Sequence, residues 1–179
     1  HVESGLRSYD RDMPEEINRV VTDVLSDMLF VSEPSGMANL KKEGISDDKV
    51  HYVGNIMIDS LVDFLPKIEA SPMLNKLGLE QGGYVLVTFH RPSNVDHPEV
   101  LGSLLGVLEW TQQQIPVVLP LHPRTKKRLE ELSLLERARA MPNLQLTETW
   151  GYLDVLGLTA AARLVLTDSG GLREETTGR

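Results

Sequence analysis

Residues 164–175 read "LVLTDSGGLREE": an apolar run of strand type, a polar turn with two glycines, then the opening of a helix carrying two adjacent acids. The first N–H groups of a helix lack intrahelical partners and lie at the positive end of its dipole, so Thr167-Asp168-Ser169-Gly170-Gly171 predicts an anion site. Glycine removes the Cβ and lets a ligand reach the backbone. A plain helix start, with Asp168 or Ser169 as cap and Glu174-Glu175 favouring the dipole, accounts for every residue except the need for two glycines. With a diphosphate on the amides, Glu175 stands one turn further on, where a carboxylate accepts hydrogen bonds from a ribose diol. Amides for phosphate and an acid for sugar predict a nucleotide.

Working outward, apolar strand-like runs recur at 29–32, 50–54, 84–90, 115–122 and 144–148, with helical patterns in the gaps. This alternation is the signature of βαβ units on parallel sheets. The stretch 67–83 is weakest in periodicity and richest in breakers, so two Rossmann-like layers are expected to meet between residues 54 and 83. The expected division is 1–54 and 55–179, with ligand in a cleft between the two layers.

Composition bounds the function. The 179 residues are 41% hydrophobic, carry a net charge of −8 and include no cysteine. A disulfide framework, a thiolate metal site and a cysteine nucleophile are therefore excluded, and a reducing, cytoplasmic setting is expected. The acidic balance argues against nucleic acid, which wants a basic stripe. No run approaches the ~20 apolar residues of a membrane span. The chain opens without Met on a strand-like dipeptide and closes shortly after a helix begins, so it is expected to be a piece of a longer protein.

Three further regions carry candidate chemistry. In 14–28, Ile17, Val20, Val21, Val24, Leu25 and Met28 recur at helical spacing, predicting a core-facing stripe behind Pro14 at the first helical position. Glu15, Asn18, Arg19 and Thr22 fall on the opposite face, either as a solvated surface with a Glu15–Arg19 pair or as the mouth of a site entered from "HVESGLRS". "TFHRPSN" (88–94) and "LPLHPRTKKR" (119–128) each end a strand on a histidine beside an arginine. Neither has metal-ligand spacing, so His90, Arg91, His122 and Arg124 are read as anion donors, with Lys126, Lys127 and Arg128 as a solvated helix face.

Taken in order, "HVESGLRS…MPEEINR", "GNIMID", "HRPSNVD", "PLHPRTKKR", "GYLDVL" and "TDSGGLREE" resemble the non-hydrolysing UDP-N-acetylglucosamine 2-epimerases across the whole chain. The resemblance implies an α/β, GT-B-like fold of two Rossmann-like domains, the first incomplete here, with the active site between them. It implies a reaction needing neither NAD nor metal: UDP-N-acetylglucosamine loses UDP by anti elimination, and UDP returns to the other face to give the manno epimer for cell-envelope polysaccharide. Glu3 and Glu15 then match acid/base carboxylates, Arg19 a substrate-positioning arginine and His90 a histidine near the diphosphate. Ser169, Gly170 and Gly171 match the phosphate turn and Glu175 the ribose-binding acid. Arg91 and His122 lie where bacterial members bind a second UDP-sugar. The implied partners are UDP-N-acetylglucosamine, UDP and a second copy in a homodimer.

The chain departs from the pattern at Ser4 (commonly Ala), Ser93 (commonly Glu), Arg173 (commonly Gln) and in "HRP" for the bacterial "HRRE". A basic loop and a catalytic Asp that precede "HVE" in the family have no counterpart, and the isolated chain is expected not to turn over. Two other classes stay open: a GT-B glycosyltransferase, which does not need the paired acids, and a non-catalytic UDP-sugar-binding piece. A hydrolysing epimerase is a close relative of the favoured reading.

Overall fold

The computed structural model describes residues 1–177, and the side chains of all of these except positions 69, 173–175 and 177. The chain divides into two compact units, His1–Ser60 and Leu61–Arg179. No helix among the described residues is long and apolar enough to cross a membrane.

The first unit contains helix α1 (Pro14–Leu25), strand β1 (Leu29–Val31), helix α2 (Pro34–Lys42), strand β2 (Val50–Tyr52) and the start of α3 (Ile56–Glu69). β1 and β2 are parallel, Leu29 opposite Val50 and Val31 opposite Tyr52. Val2 bridges Phe30 in the same sense, as the strand-like opening dipeptide predicts. The core is small: Leu29, Val31 and Leu40 are fully buried, with Met37, Ile45 and Val50 packed around them. Gly5 has φ +80°, and a Cβ there would lie 2.5 Å from the Gly36 carbonyl oxygen, so the loop after Glu3 crosses the start of α2 backbone to backbone.

Helix α1 corrects one expectation. Ile17, Val21, Val24, Leu25 and Met28 are exposed, Leu25 by 77%, and the buried side chains of the helix are Glu16 and Asp23. The inward face is the one whose carboxylates find donors. Glu16 accepts from the Ser8 and Tyr9 backbone N–H groups at 2.9 and 3.0 Å, and Asp23 accepts from the Gly5 N–H at 3.0 Å. The expected Glu15–Arg19 pair is also absent, since Arg19 Nη1 stands 3.4 Å from Glu16 instead.

The second unit takes the rest of α3, then α4 (Met73–Leu77), β3 (Val85–Thr88), α5 (Pro92–Val95), α6 (Pro98–Thr111), β4 (Val117–Pro120), α7 (Pro123–Glu131) and α8 (Leu135–Arg139). It ends with β5 (Leu144–Thr147), α9 (Tyr152–Ala161), β6 (Leu164–Thr167) and α10 (Gly170–Thr177). The breaker-rich stretch at 67–83 is thus partly helical, and α3 continues past an internal Pro66. All four strands are parallel, in the order β5-β4-β3-β6.

Alternation along the strands builds a core on each side of this sheet. Val85, Val87, Val117 and Leu119 face Leu101, Leu105 and Leu108 of α6 and Leu129 of α7, while Tyr84, Leu86 and Val118 face Met73 of α4 and Leu158 of α9. The chain steps outward from β3 through β4 to β5, then returns to place β6 on the other side of β3. That reversal makes the carboxyl ends of β3 and β6 the topological switch point, where open α/β sheets leave a crevice for ligand.

Candidate functional site

Register brings the candidate residues of the second unit together. Thr88 of β3 lies opposite Thr167 of β6, their hydroxyls 2.8 Å apart, and the Asp168 N–H donates to the Thr88 carbonyl at 3.3 Å. His90 stands two residues past the end of β3 and His122 two past the end of the adjacent β4, with ring centroids 5.5 Å apart. His90 therefore has Asp168 on one side and His122 on the other.

Asp168 is the residue that sequence reasoning underrated. Instead of capping α10, its side chain turns back to β3, accepting from the backbone N–H groups of His90 and Arg91 at 3.0 and 2.9 Å and from Asn94 Nδ2 at 2.9 Å. His90 Nδ1 is 3.2 Å from the other carboxylate oxygen. Burial raises the pKa of this carboxyl, but the Arg91 N–H, the Asn94 amide and His90 outweigh it and hold the group below the usual carboxylate range. A signal was present in the sequence, since "TD" ends a strand whose register falls beside "FHRPSN", but only the β3–β6 pairing makes it legible.

The cap of α10 is Ser169. Its Oγ accepts from the Leu172 N–H at 3.4 Å, and its own N–H donates to Thr167 Oγ1 at 3.0 Å. Ser169 therefore shapes the turn, and its amide is already committed. The N–H groups of Gly170 and Gly171 lie in the first turn of the helix, where backbone donors have no intrahelical partner. Among the described residues, a Cβ at Gly170 would meet Arg91 Nη2 at 3.9 Å, an ordinary contact. No packing contact among the described residues demands glycine at 170. Glu175, expected to hold a ribose, has its side chain outside the described residues.

At the end of β4, His122 and Arg124 both make contacts within the protein. His122 Nδ1 accepts from the Arg124 N–H at 3.2 Å, capping α7. The Arg124 guanidinium is bound to Asp96, whose pKa is lowered by that contact, so Arg124 is committed within the protein rather than offered to phosphate. Arg128 likewise donates to the Asp96 carbonyl at 2.6 Å and pairs with Glu131, so it is a bracket rather than a merely solvated charge.

In the first unit, Glu3 is a non-glycine residue at φ +65°. A left-handed conformation costs an ordinary side chain about 1–2 kcal/mol, so the surroundings must impose it. They do so through Asp23, which is fully buried and receives His1 Nδ1 at 2.5 Å, the Gly5 N–H and Arg7 Nη2 at 2.7 Å. The Arg7 side chain, 1% exposed, also binds Glu43 at 2.7 Å, and that hydrogen bond leads the causes raising its pKa. Glu3 lines a cavity of about 230 Å³ with Phe30, Ser32, Asn55 and Asp59, the last two belonging to "GNIMID". Glu15 and Arg19 do not line that cavity; Glu15 is exposed, and Arg19 is half-exposed beside Glu16.

Comparison with known proteins gives this geometry a context. A family profile described as UDP-N-acetylglucosamine 2-epimerase matches residues 1–178. The UDP-N-acetylglucosamine 2-epimerase of Methanococcus maripaludis is 40% identical over 180 aligned positions, covering 98% of this chain and 49% of that protein. The UDP-2,3-diacetamido-2,3-dideoxy-D-glucuronate 2-epimerase of Pseudomonas aeruginosa is 42% identical, with coverages of 98% and 48%. The crystal structure of Methanocaldococcus jannaschii UDP-GlcNAc 2-epimerase in complex with UDP-GlcNAc and UDP superposes with a TM-score of 0.83 at 38% identity, covering 98% of this chain and 49% of that one. The chain spans about half the length of the curated relatives it matches, and its parallel-sheet α/β units are of the GT-B-like, Rossmann type expected. By profile, identity and superposition, this chain belongs to the UDP-N-acetylglucosamine 2-epimerase family.

Proposed function

We propose that this chain is part of an enzyme that interconverts UDP-N-acetylglucosamine and UDP-N-acetylmannosamine without net hydrolysis. The observation that carries the reading is the convergence of His90, Arg91, His122 and the Gly170–Gly171 amides at the β3–β6 switch point. There they oppose the charge that develops on the departing diphosphate. In the proposed reaction a carboxylate base removes the C2 proton, the C1–O bond to UDP breaks, and a 2-acetamidoglucal forms. UDP then re-adds at C1 while C2 is protonated on the opposite face. Glu3, held strained at a cavity edge, and Glu15 are the proposed acid/base pair, with Arg19 orienting substrate, Ser169 shaping the phosphate turn and Glu175 holding the ribose.

The identity to the Pseudomonas enzyme favours one variant of this reading, a diacetamido uronate sugar undergoing the same C2 inversion. The setting proposed is cytoplasmic and the assembly a homodimer, for which the solvent-facing stripe of α1 is an available apolar surface. Sedimentation equilibrium checks the assembly.

The deciding experiment is conversion in deuterated water by the whole protein, with each of the two UDP-sugars supplied separately. A solvent deuteron must appear at C2 of the product, and Glu3→Gln should lower turnover by roughly 10²-fold or more while UDP affinity holds. Product lacking deuterium at C2 removes the elimination mechanism and leaves the glycosyltransferase and binding-piece readings ahead.

A further inference from the structure

The carboxylate of Asp168 serves ligand-facing groups on two elements at once. It receives the backbone N–H groups of His90 and Arg91, the Asn94 amide and the His90 ring, and it immediately precedes the turn that opens α10. Its side chain is only 10% exposed, whereas the His90 ring is 44% exposed. A buried acceptor against one ring nitrogen fixes which nitrogen carries hydrogen. His122 shows the converse case, because its Nδ1 accepts from the Arg124 N–H and its own hydrogen must then sit on Nε2. Among the described residues, the titratable groups placed against the His90 ring are Asp168 from the β6–α10 turn and His122 from the end of β4.

We propose that Asp168 is a positioning residue that holds His90 as the Nδ1–H tautomer, so that Nε2 is the nitrogen presented to the bound diphosphate. When His90 is neutral, Nε2 offers a lone pair that can take a proton. When it is protonated, Nε2–H donates to a phosphate oxygen while Asp168 balances the imidazolium. Through its Arg91 and Asn94 contacts the same carboxylate keeps the 90–94 loop against the glycine turn, so ring, guanidinium and helix amides face one anion. This inference deepens the reading of the cluster as a diphosphate site and rests on it.

The test is the imidazole ¹⁵N spectrum of this chain at a pH where the histidines are neutral, with folding checked by circular dichroism. The native chain should show His90 as Nδ1–H and His122 as Nε2–H, each assigned by loss of its signal in a His→Gln variant. Asp168→Asn should turn His90 to Nε2–H and weaken UDP binding by about tenfold or more, as loss of a charge-assisted hydrogen bond does. Asn94→Ala, which removes a donor to Asp168 but not the acceptor of the ring, should leave His90 as Nδ1–H. A native His90 already in the Nε2–H form overturns the proposal without any variant, as does an Asp168→Asn protein that keeps Nδ1–H or an Asn94→Ala protein that loses it. If the tautomers are as stated and UDP does not bind, the diphosphate reading fails and the role of Asp168 in setting the ring stands.

Discussion

Helices α1 and α6 both carry helically spaced apolar residues, and they use them in opposite senses. α6 turns Leu101, Leu105 and Leu108 into a core that a four-stranded sheet provides. α1 turns Glu16 and Asp23 inward and leaves Ile17, Val21, Val24 and Leu25 to solvent. The difference follows from what each helix packs against. Beside α6 lie β3 and β4, four-residue strands that are buried almost throughout. The first unit has two three-residue strands and a core of three fully buried apolar side chains, and its 1–9 loop brings N–H groups and a guanidinium that need acceptors. Periodicity finds the two faces of a helix; the partner decides which one is covered.

If the first unit is held by buried hydrogen bonds and the second by apolar packing, the two should break differently. The largest effect is expected from Asp23→Ala, which takes one of two carboxylates from the buried Arg7 guanidinium and leaves the Gly5 N–H and His1 Nδ1 without their acceptor. Removing one partner of a buried ion pair typically costs about 3–5 kcal/mol, and amide hydrogen exchange should show β1 losing protection first. A loss below about 1 kcal/mol would mean that water replaces the carboxylate, and the comparison would fail.

Leu119→Ala is the counterpart in the second unit. Leu119 is fully buried within the core facing α6 and α7. The cavity left by such a change costs about 2–5 kcal/mol, read from the urea midpoint of the chain, with exchange rising first in β3 and β4.

A pH effect sharpens the contrast, because packing does not titrate. The Glu16 carboxyl is brought from 4.5 down to about 2, chiefly by the Ser8 backbone N–H, against the opposing effect of burial and with help from Tyr9, the Ser8 hydroxyl and Arg19. Its folded-state pKa is depressed, so its contribution is complete above the unfolded value and is lost as pH falls from there toward about 2. Urea midpoints of the native chain and Glu16→Gln should therefore be furthest apart near neutral pH and converge on acidification. A gap that stays constant would remove the carboxylate from the account.

The smallest effect has the opposite sign. Ser4 is fully buried and its hydroxyl has no hydrogen-bond partner, so Ser4→Ala should stabilise the chain by about 1 kcal/mol. Alanine is also the residue that the family resemblance leads one to expect there. A destabilised Ser4→Ala variant would point to a partner for that hydroxyl in solution.

The residues themselves determined a good deal. Strand runs, the breaks at Pro92, Pro123 and the Gly170–Gly171 pair, the glycine turn and the ordered motifs follow from local chemistry: β-branched and apolar runs favour strands, proline and glycine end them, and a helix start offers amides to an anion. These set the α/β class and placed His90 and His122 at strand ends and Gly170 at a strand-to-helix turn. Sequence spacing could not say that Arg124 answers Asp96, that Ser169 uses its amide on Thr167, that Arg19 meets Glu16, or that the apolar stripe of α1 faces solvent. Each of these depends on which of several nearby donors and acceptors a group finds in the folded chain, and spacing alone does not rank them. Asp168 is the clearest case. As a local residue it is a helix cap, and only the alignment of Thr88 with Thr167 makes it the carboxylate under His90.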